Sequence, residues 1–383
     1  MLRKKLYVIA DIRAGGTPSR NNPDYWNGNI PWVKISNING KYVTTCDETI
    51  TELGLKNSSA KLFEKETILY TIFATLGRVG ILQFDATTNQ AIAGIKIKDN
   101  SISTDYLYYY LRSLESYVKD IGNGAAQQNI NQTILKNFTV PVISKEKQNQ
   151  ICSELENIEN VLLKKQHDLA SLDELIKSRF IEMFGDPNFN DKNWDRLQIR
   201  DIGECVAGAT PSTKVNEYWE NGTISWLSSG EVHKRRIYST DSKITQSGYD
   251  HASTKMVPAH TVLLAMAGQG KTRGTAAMAE IPLCTNQSIC SIVNNEKINP
   301  EYLMEYLTLE YNELRSASNG GEGRGGLNLK IIGDFPINVP PINLQNEYAE
   351  FIKQIDKSKF IVQKEIKDLQ ELLDKKMDEY FGQ

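Results

Sequence analysis

The chain has 383 residues, of which 40% are hydrophobic and 24% are charged, and its formal net charge is −3. This length accommodates about two or three domains, and the composition is that of an ordinary globular protein. No apolar run approaches the ~20 residues that a membrane-spanning helix needs. The apolar stretch Leu6 to Ala10 is too short for a secretion signal, so we expect a cytoplasmic protein.

Five cysteines and four histidines are scattered without the spacing of metal ligands. We therefore expect reduced thiols and no metal site. The charge is unevenly distributed, because residues 1–142 carry 16 Lys and Arg against 12 Asp and Glu. This mildly basic region is compatible with DNA binding, but electrostatics alone does not establish it.

Residues 1–143 are predicted to form a mixed α+β globule, the first domain. Runs with strand character occupy 67–73 and 91–97, and a short amphipathic helix is predicted at 105–117. Loops rich in Gly, Asn, Ser and Thr separate these elements.

Residues 144–186 are predicted to form one long helix. Its apolar residues recur at alternating spacings of four and three, the pattern of a coiled-coil seam, although a helix packed on its own globule would also show an apolar stripe. Gly185 followed by Pro187 predicts the end of the helix. The expected pairing positions are Ile151, Leu155, Ile158, Leu162, Leu169, Leu172 and Ile176.

The second half repeats the first, with an offset of 193 residues at the start that becomes 197 in the last third. A repeat of this length indicates a fold that has been copied whole. The recurring motifs include Thr17-Pro18-Ser19 with Thr210-Pro211-Ser212, Tyr25-Trp26 with Tyr218-Trp219, Asn89-Gln90 with Asn286-Gln287, and Phe184-Gly185 with Phe381-Gly382.

The repeat predicts a second globule at 187–341 and a second long helix at 342–383. Strands are expected at 261–265 and 288–293, and a helix at 300–314. Two equivalent seams in one chain most simply pair with each other, which predicts an α+β fold with an antiparallel coiled coil and pseudo-two-fold symmetry. The pairing positions in the second helix are Ile352, Ile355, Val362, Ile366, Leu369 and Leu373.

No enzymatic motif is complete. Gly268-Gln269-Gly270-Lys271-Thr272 resembles the end of a phosphate-binding loop, but Ala265 stands where that motif needs its first glycine. Val339-Pro340-Pro341-Ile342 lacks the amide or acid and the aromatic residue of an adenine methyltransferase motif. The sequence therefore predicts a non-catalytic protein.

Polar loops that carry cations recur at matched positions, and they are suited to reading DNA. Gln and Asn can bond adenine, Arg and Lys can bond guanine, and glycine lets backbone amides approach phosphate. For any single loop the alternative is a solvated turn. The candidate DNA-binding residues are Thr17, Ser19, Arg20, Asn21, Thr75, Arg78, Gln127, Gln128, Asn129 and Asn131 in the first half, and Ser212, Lys214, Gln269, Lys271, Arg273, Arg324 and Asn328 in the second.

Lys234, Arg235 and Arg236 form a basic run in the second half. The sequence shows no matching run in the first half. The three residues are either a phosphate clamp, and so further DNA-binding candidates, or a solvated charge run.

Two variable globules, each followed by a long helix that ends in Phe-Gly, resemble the specificity subunit of bacterial type I restriction–modification enzymes. The resemblance covers the whole chain and is carried by Gly16-Thr17-Pro18-Ser19, the Tyr-Trp pairs, the Asn-Gln pairs and Phe184-Gly185-Asp186-Pro187. The second half departs slightly, with Ala209 before Thr210.

The resemblance implies that each globule reads one half of a split, asymmetric site in double-stranded DNA. It implies that the helices act as a spacer and dock two methylation subunits and the restriction subunits. S-adenosylmethionine, ATP and Mg²⁺ would then belong to those partners, with no cofactor in this chain. The alternative is a two-headed coiled-coil adaptor whose loops bind protein.

Overall fold

The computed structural model describes residues 2–124, 130–268, 270–318 and 326–382. The chain divides into two compact units. Unit 1 comprises residues 1–166 and 364–383, and unit 2 comprises residues 167–363. Each unit therefore contains one α+β globule together with a segment of each long helix.

Unit 1 contains most elements of the first half of the chain. Its strands are β1 Leu2–Lys5, β2 Ala10–Ala14, β3 Trp26–Val33, β4 Tyr42–Val43, β5 Glu48–Ile50, β6 Ile68–Thr71, β7 Val79–Leu82, β8 Thr87–Thr88, β9 Ile92–Ile97 and β10 Thr139–Val142. Its helices are α1 Leu6–Ile9, α2 Glu52–Lys56, α3 Thr104–Ser113, α4 Glu115–Gly124, α5 Gln132–Lys136 and the first part of α6 Lys145–Phe184.

A five-stranded sheet of order β2-β9-β6-β7-β4 organises unit 1, beside a three-stranded sheet β5-β3-β8 and the pair β1-β10. Successive side chains of a strand point to opposite faces. Accordingly, Ile68 and Tyr70 of β6 join the large core under the helices, whereas Leu69 joins a smaller core on the other face. Burial on both faces explains the continuous apolar runs in the sequence.

Unit 2 repeats this architecture. Its strands are β11 Asp195–Gln198, β12 Gly203–Ala207, β13 Ile224–Leu227, β14 Arg236–Ile237, β15 Ser242–Ile244, β16 Thr261–Ala265, β17 Ala276–Ala279, β18 Cys284–Thr285, β19 Ile289–Asn294 and β20 Pro336–Val339. Its helices are α7 Ile199–Ile202, α8 Gln246–Asp250, α9 Pro300–Leu309, α10 Tyr311–Ala317, α11 Leu329–Gly333 and the first part of α12 Ile342–Phe381. The sheets are β12-β19-β16-β17-β14, β15-β13-β18 and β11-β20.

The single short helix expected at 105–117 is wrong, because the segment forms two helices. At Leu114 the backbone N–H bonds to the carbonyl of Leu111 at 3.3 Å, a three-residue spacing that ends α3. Leu114 itself stays in the core, and the chain continues as α4. The corresponding helix expected at 300–314 is also interrupted, at Glu310, whose N–H bonds to the carbonyl of Tyr306 at 3.0 Å.

In unit 1 the beginning of α6 lies antiparallel to the end of α12. The Lys376 ammonium lies 3.0 Å from the Glu154 carboxylate, and Lys165 lies 2.7 Å from Glu365. As the residue number rises along one helix, it falls along the other. The expected antiparallel pairing of the long helices is confirmed here.

In unit 2 the end of α6 lies antiparallel to the beginning of α12. Lys359 contacts Asp173 at 2.5 Å, and Arg179 contacts Glu347 at 3.3 Å. The α6 helix ends at Phe184, and Gly185 follows in the left-handed region at φ +81°. The helix stop expected at Gly185 is therefore confirmed.

The pairing positions are distributed over the two units. Ile151, Leu155, Ile158, Leu162 and Leu373 are buried in the unit 1 core, with Ile366 and Leu369 packed at its edge. Ile176, Ile352 and Ile355 are buried in the unit 2 core, with Leu172 at its edge, and Leu169 and Val362 are half-buried. Both cores also contain sheet residues, so the helices pack on the globules as well as on each other.

The last turn of each long helix inserts an aromatic ring into a globule. In unit 1, the ring centroid of Phe381 lies 5.4 Å from that of Tyr106 and 6.0 Å from that of Tyr110. In unit 2, the Phe184 centroid lies 4.7 Å from that of Tyr302. The repeated Phe-Gly motif is thus an aromatic anchor followed by a helix end.

No helix in the described ranges is both long enough and apolar enough to cross a membrane.

Replacing Leu155 by Ala should lower the free energy of unfolding by about 2–5 kcal/mol, because it leaves a cavity in the core that joins α6 to the globule. Leu163→Ala on the same helix is the matched control. The Leu163 side chain is 63% exposed, so its removal should change stability by less than about 0.5 kcal/mol. Urea denaturation followed by circular dichroism measures both variants. Equal effects would show that α6 is not held by this core.

Candidate nucleic-acid interface

Three loops of unit 1 meet at one end of its five-stranded sheet. The Gly15 N–H donates to the Ile92 carbonyl at 2.9 Å, and the Ile72 N–H donates to Ala91 at 2.8 Å. Ile130, in the third loop, donates to the Ile72 carbonyl at 3.1 Å. These bonds bring residues 15–22, 72–78 and 130–131 together, and we name this group the unit 1 loop cluster.

The corresponding loops of unit 2 meet in the same way. The Met266 N–H donates to Ser288 at 2.8 Å, and Leu327 donates to the Met266 carbonyl at 3.0 Å. The Thr210 hydroxyl donates to the Gln287 side chain at 2.6 Å, which ties the first loop to the strand β19 region. We name residues 208–215, 266–268, 270–274 and 326–328 the unit 2 loop cluster.

A pair of tryptophans braces the first loop of unit 1. The Trp32 indole N–H donates to the Gly16 carbonyl at 3.0 Å, and the Trp26 indole donates to Ser19 at 3.1 Å. The two rings meet edge to face with centroids 5.1 Å apart. The Thr17 hydroxyl donates to Gln90. The Thr-Pro-Ser motif is therefore a braced turn.

The same brace is present in unit 2. Trp226 donates to Ala209 at 3.0 Å, Trp219 donates to Ser212 at 3.1 Å, and the ring centroids are 5.0 Å apart. A Cβ atom on Gly208 would lie 1.8 Å from the Thr285 carbonyl oxygen, so only glycine fits beside this strand. The architecture of the first loop is thus common to both clusters.

The position of Arg20 carries different residues in the two copies. The Arg20 guanidinium carbon lies 3.6 Å from the centre of the Trp26 ring, and a terminal nitrogen lies 2.6 Å from the Glu48 carboxylate. Hydrogen bonds from Lys34 and Arg20 hold the pKa of Glu48 below its usual value. The Arg20 side chain remains 53% exposed, so it is oriented but accessible, and Thr213 occupies the matching position in unit 2.

The second loop of unit 1 is a tight turn between β6 and β7. The Thr71 hydroxyl donates to the Thr75 carbonyl and accepts from the Arg78 N–H at 2.9 Å. Gly77 adopts φ +81° and packs against Glu115 of α4. The Arg78 side chain is exposed, and no ion pair engages it in the described part of the chain.

The second loop of unit 2 is held by α10. The Arg315 guanidinium donates to the Gly270 carbonyl at 2.8 Å and to the Arg273 carbonyl at 3.1 Å. The Tyr311 hydroxyl donates to the Lys271 carbonyl at 3.0 Å. These bonds fix the backbone, and the Lys271 side chain remains exposed.

In the third loops, Asn131 and Asn328 cap short helices. The Asn131 side chain accepts from the Ile134 N–H at 2.9 Å, and Asn328 accepts from Ile331 at 2.9 Å. Both asparagines are exposed residues. The predicted residues Gln127, Gln128, Asn129, Gln269 and Arg324 lie outside the described residues.

The other predicted residues differ in exposure. In the first loops, Ser19, Asn21, Ser212 and Lys214 are exposed and Thr17 is half-buried, and in the second loop of unit 1 Thr75 is half-buried. Arg273 is half-buried in the second loop of unit 2. The structure therefore brings the described loop candidates together in two clusters.

The basic run of unit 2 lies outside the loop cluster and contacts acidic side chains. The Lys234 ammonium lies 2.8 Å from Glu231 and 2.7 Å from Asp241, and Arg235 pairs with Glu305. Arg236 lies among three carboxylates, those of Glu280, Glu301 and Asp356. This geometry favours an internal role over a phosphate clamp.

The sequence analysis did not predict the tryptophan brace. It also did not predict that unit 1 has a cation, Lys41, that corresponds to the basic run of unit 2. The recurrence of Trp26, Trp32 and Gln90 at matched positions was a signal for the brace. Lys41 is the unit 1 cation that lies among carboxylates as Arg236 does. It stands alone in the sequence, so no run of charges marked it.

Glu310 is a buried carboxylate between α9 and α10. The α10 helix is the one that holds the second loop of unit 2. The pKa of Glu310 is raised to about 7, mainly by burial and in addition by the neighbouring charges of Glu313 and Asp186. Its Oε1 atom has no hydrogen-bond partner within the described ranges.

Among the described residues, no group of His, Cys, Asp and Glu could hold a metal ion.

Two α+β globules with matched loop clusters and paired helices define a two-headed binding protein. The family described as the type I restriction modification DNA specificity domain matches residues 3–172 and 191–371, and the chain therefore belongs to the type I restriction–modification specificity subunits. It has two target recognition domains and is the non-catalytic subunit of such an enzyme.

Relatives with known names agree with this membership. The MjaIX specificity subunit of Methanocaldococcus jannaschii is 26% identical over 329 residues, which cover 80% of this chain and 75% of the relative. The EcoR124I/EcoR124II specificity subunit of Escherichia coli is 24% identical over 335 residues, covering 85% of this chain and 82% of the relative.

Solved structures share the fold. An S subunit from M. genitalium aligns with a TM-score of 0.57 at 15% identity, covering 98% of this chain and 94% of that one. A chain from a study of the assembly and conformational transition of the type I system aligns with a TM-score of 0.65 at 14% identity, covering 99% and 97%.

Glu310→Gln should make stability less dependent on pH. The folded-state pKa of Glu310 lies above the unfolded value near 4.3, so ionisation opposes folding, and the wild type should lose about 3 kcal/mol as pH rises from 4 to 8. The Gln variant should keep most of this stability. Urea unfolding at several pH values measures the difference. Glu220→Gln is the control, because Glu220 is exposed and is not among the charges that shift the pKa of Glu310. The same pH response in wild type and Glu310→Gln would exclude Glu310 as its source.

Proposed function

We propose that the two loop clusters read the two halves of a split, asymmetric site in double-stranded DNA. The observation that carries this proposal is the duplicated convergence of three loops on one end of each sheet, with the same brace and different exposed side chains. A shared framework with different surfaces is what two different half-sites require. The family membership supplies the DNA-specificity role.

Within each cluster we assign DNA contact to the polar and cationic side chains of the loops. In unit 1, Arg20 is oriented by Trp26 and Glu48, so it loses little conformational freedom on binding a base or phosphate. Arg78 and Lys271 extend from turns whose backbones are fixed. The remaining contacts are Thr17, Ser19, Asn21, Thr75, Asn131, Ser212, Lys214, Arg273 and Asn328, together with Gln127, Gln128, Asn129, Gln269 and Arg324 on sequence grounds.

We propose that the long helices dock two methylation subunits and the restriction subunits. Exposed apolar side chains on the helices support a docking role, because a partner could cover them. They include Leu163 and Leu175 of α6 and Phe360 and Ile361 of α12. The partner subunits, and not this chain, would then bind S-adenosylmethionine, ATP and Mg²⁺. We propose that the complex works in the cytoplasm.

The proposed domain limits are 1–143 and 187–341 for the recognition domains and 144–186 and 342–383 for the spacer helices. These limits follow the repeat in the sequence. The compact units divide each long helix between them, because its two halves pack in different cores.

Exchanging residues 187–341 for the recognition domain of another specificity subunit should change one half of the methylated site and leave the other half intact. The reason is that each loop cluster is built within one globule. Sequencing of N6-methyladenine in cells that carry the chimaera and its partner subunits measures the site. A change in both halves would contradict modular reading, and no site-specific methylation with the wild type would favour the protein-binding adaptor.

Arg78→Gln and Lys271→Gln should each weaken DNA binding and reduce the slope of log K against log salt by about 0.9, if each cation contacts one phosphate. Binding of the assembled methyltransferase to a duplex with its site, titrated at several salt concentrations, gives the slope. Lys98→Gln is the control, because Lys98 pairs with Asp11 at the opposite end of the same sheet. If the slope for Arg78→Gln and Lys271→Gln is the same as for Lys98→Gln and the wild type, neither Arg78 nor Lys271 contacts DNA phosphate.

A further inference from the structure

One largely buried cation in unit 1 joins the globule to its long helix. The Lys41 ammonium lies 3.0 Å from Asp105, in the first turn of α3, and 3.0 Å from Glu156 of α6. Its side chain is 11% exposed. Burial works to lower the pKa of Lys41, but the hydrogen bonds that its ammonium donates to Asp105 and Glu156 raise the pKa overall, so the cation stays charged.

Unit 2 has the same arrangement with a different cation. Arg236 lies 2.7 Å from Glu301, in the first turn of α9, and 2.7 Å from Asp356 of α12. It also pairs with Glu280, and its side chain is 15% exposed.

The two cations lie at matching edges of their sheets, one position apart in the strand register. Lys41 directly precedes β4, in which Tyr42 pairs with Ile81 of β7, whereas Arg236 begins β14 and itself pairs with Met278 of β17. Lys41 bonds one carboxylate on the globule and one on the long helix, and Arg236 bonds two on the globule and one on the long helix. A cation that joins the globule to the helix is therefore present in both units, although the individual residues differ.

These ion pairs differ in kind from the packing around them. Apolar packing between globule and helix is non-directional, so by itself it permits small rotations. Charge-assisted hydrogen bonds fix distance and direction, and a single cation shared by two elements fixes one element against the other. Each globule is therefore held at one angle on its own helix.

We propose that Lys41 and Arg236 are positioning residues that set the angle of each loop cluster on its long helix, and thereby the gap length at which the two half-sites are read. This inference rests on the proposed reading of a split site. It assigns gap selectivity to the joints between globules and helices, in addition to the length of the helices.

The test uses the complete methyltransferase and a duplex library that holds both half-sites and varies the gap by single base pairs. Glu156→Gln and Asp356→Asn remove the helix side of each joint with isosteric, neutral groups. We expect both half-site sequences to stay the same, while the preference for the native gap over a gap one base pair longer falls about five- to tenfold, the range expected for a lost charge-assisted contact. Lys41→Arg should retain most of the preference.

The outcomes separate the two proposals. Loss of gap preference with unchanged half-sites supports the inference, and unchanged gap preference in both variants overturns it. A changed half-site sequence also overturns it, because the ion pair would then shape the loops themselves. Absence of site-specific methylation by the wild type is instead a failure of the proposed function. Lys98→Met, which breaks an ion pair within the globule, should leave the gap profile unchanged.

Discussion

The insertion of each helix end into a globule is the contact on which the rest of the structure depends. Phe381 packs in the core of unit 1 and Phe184 in the core of unit 2, so each core contains an aromatic ring from a helix end. Each helix also contributes its first turns to the core of the globule that precedes it. The helix length is therefore constrained at both ends by packing. This constraint explains why the offset between the two copies is constant along the helices and varies only in the globules.

Because the packing of helices on globules does not depend on the exposed side chains of the loop clusters, those side chains can differ between the two copies. The brace of indole N–H bonds is the same in both copies, and it uses backbone carbonyls as acceptors, so it places no demand on the side chains of the loop. Arg20 and Thr213 can then stand at equivalent positions without a change in the turn. Separation of a backbone-directed framework from variable side chains lets one fold present two different surfaces.

Much of this fold could be predicted from the sequence, and the failures have a common cause. The strand at 261–265 was predicted at its observed limits, because burial on both faces leaves a short continuous apolar run. The long helices followed from their spacing and the stop at Gly185. The break at Leu114, the brace of Trp26 and the joint at Lys41 depend on particular hydrogen bonds and ion pairs of the folded chain, which a pattern of apolar and polar residues does not contain. The loop residues were found as candidates because they recur, but Asn131 and Asn328 also cap helices, a second use that the repeat alone did not distinguish from DNA reading.

The joints at Lys41 and Arg236 also show why a net charge of −3 gives little information about DNA binding in this chain. The count gives equal weight to every charged residue. However, Glu280 and Glu301 pair with Arg236, and Asp105 and Glu156 pair with Lys41. Part of the negative charge is therefore paired with cations between the globules and the helices. Arg78 and Lys271 are exposed in the loop clusters. The field that a DNA duplex meets depends on these positions, because exposed charges within about a Debye length dominate it. A protein of this design can therefore be acidic overall and still present cations where its loops converge.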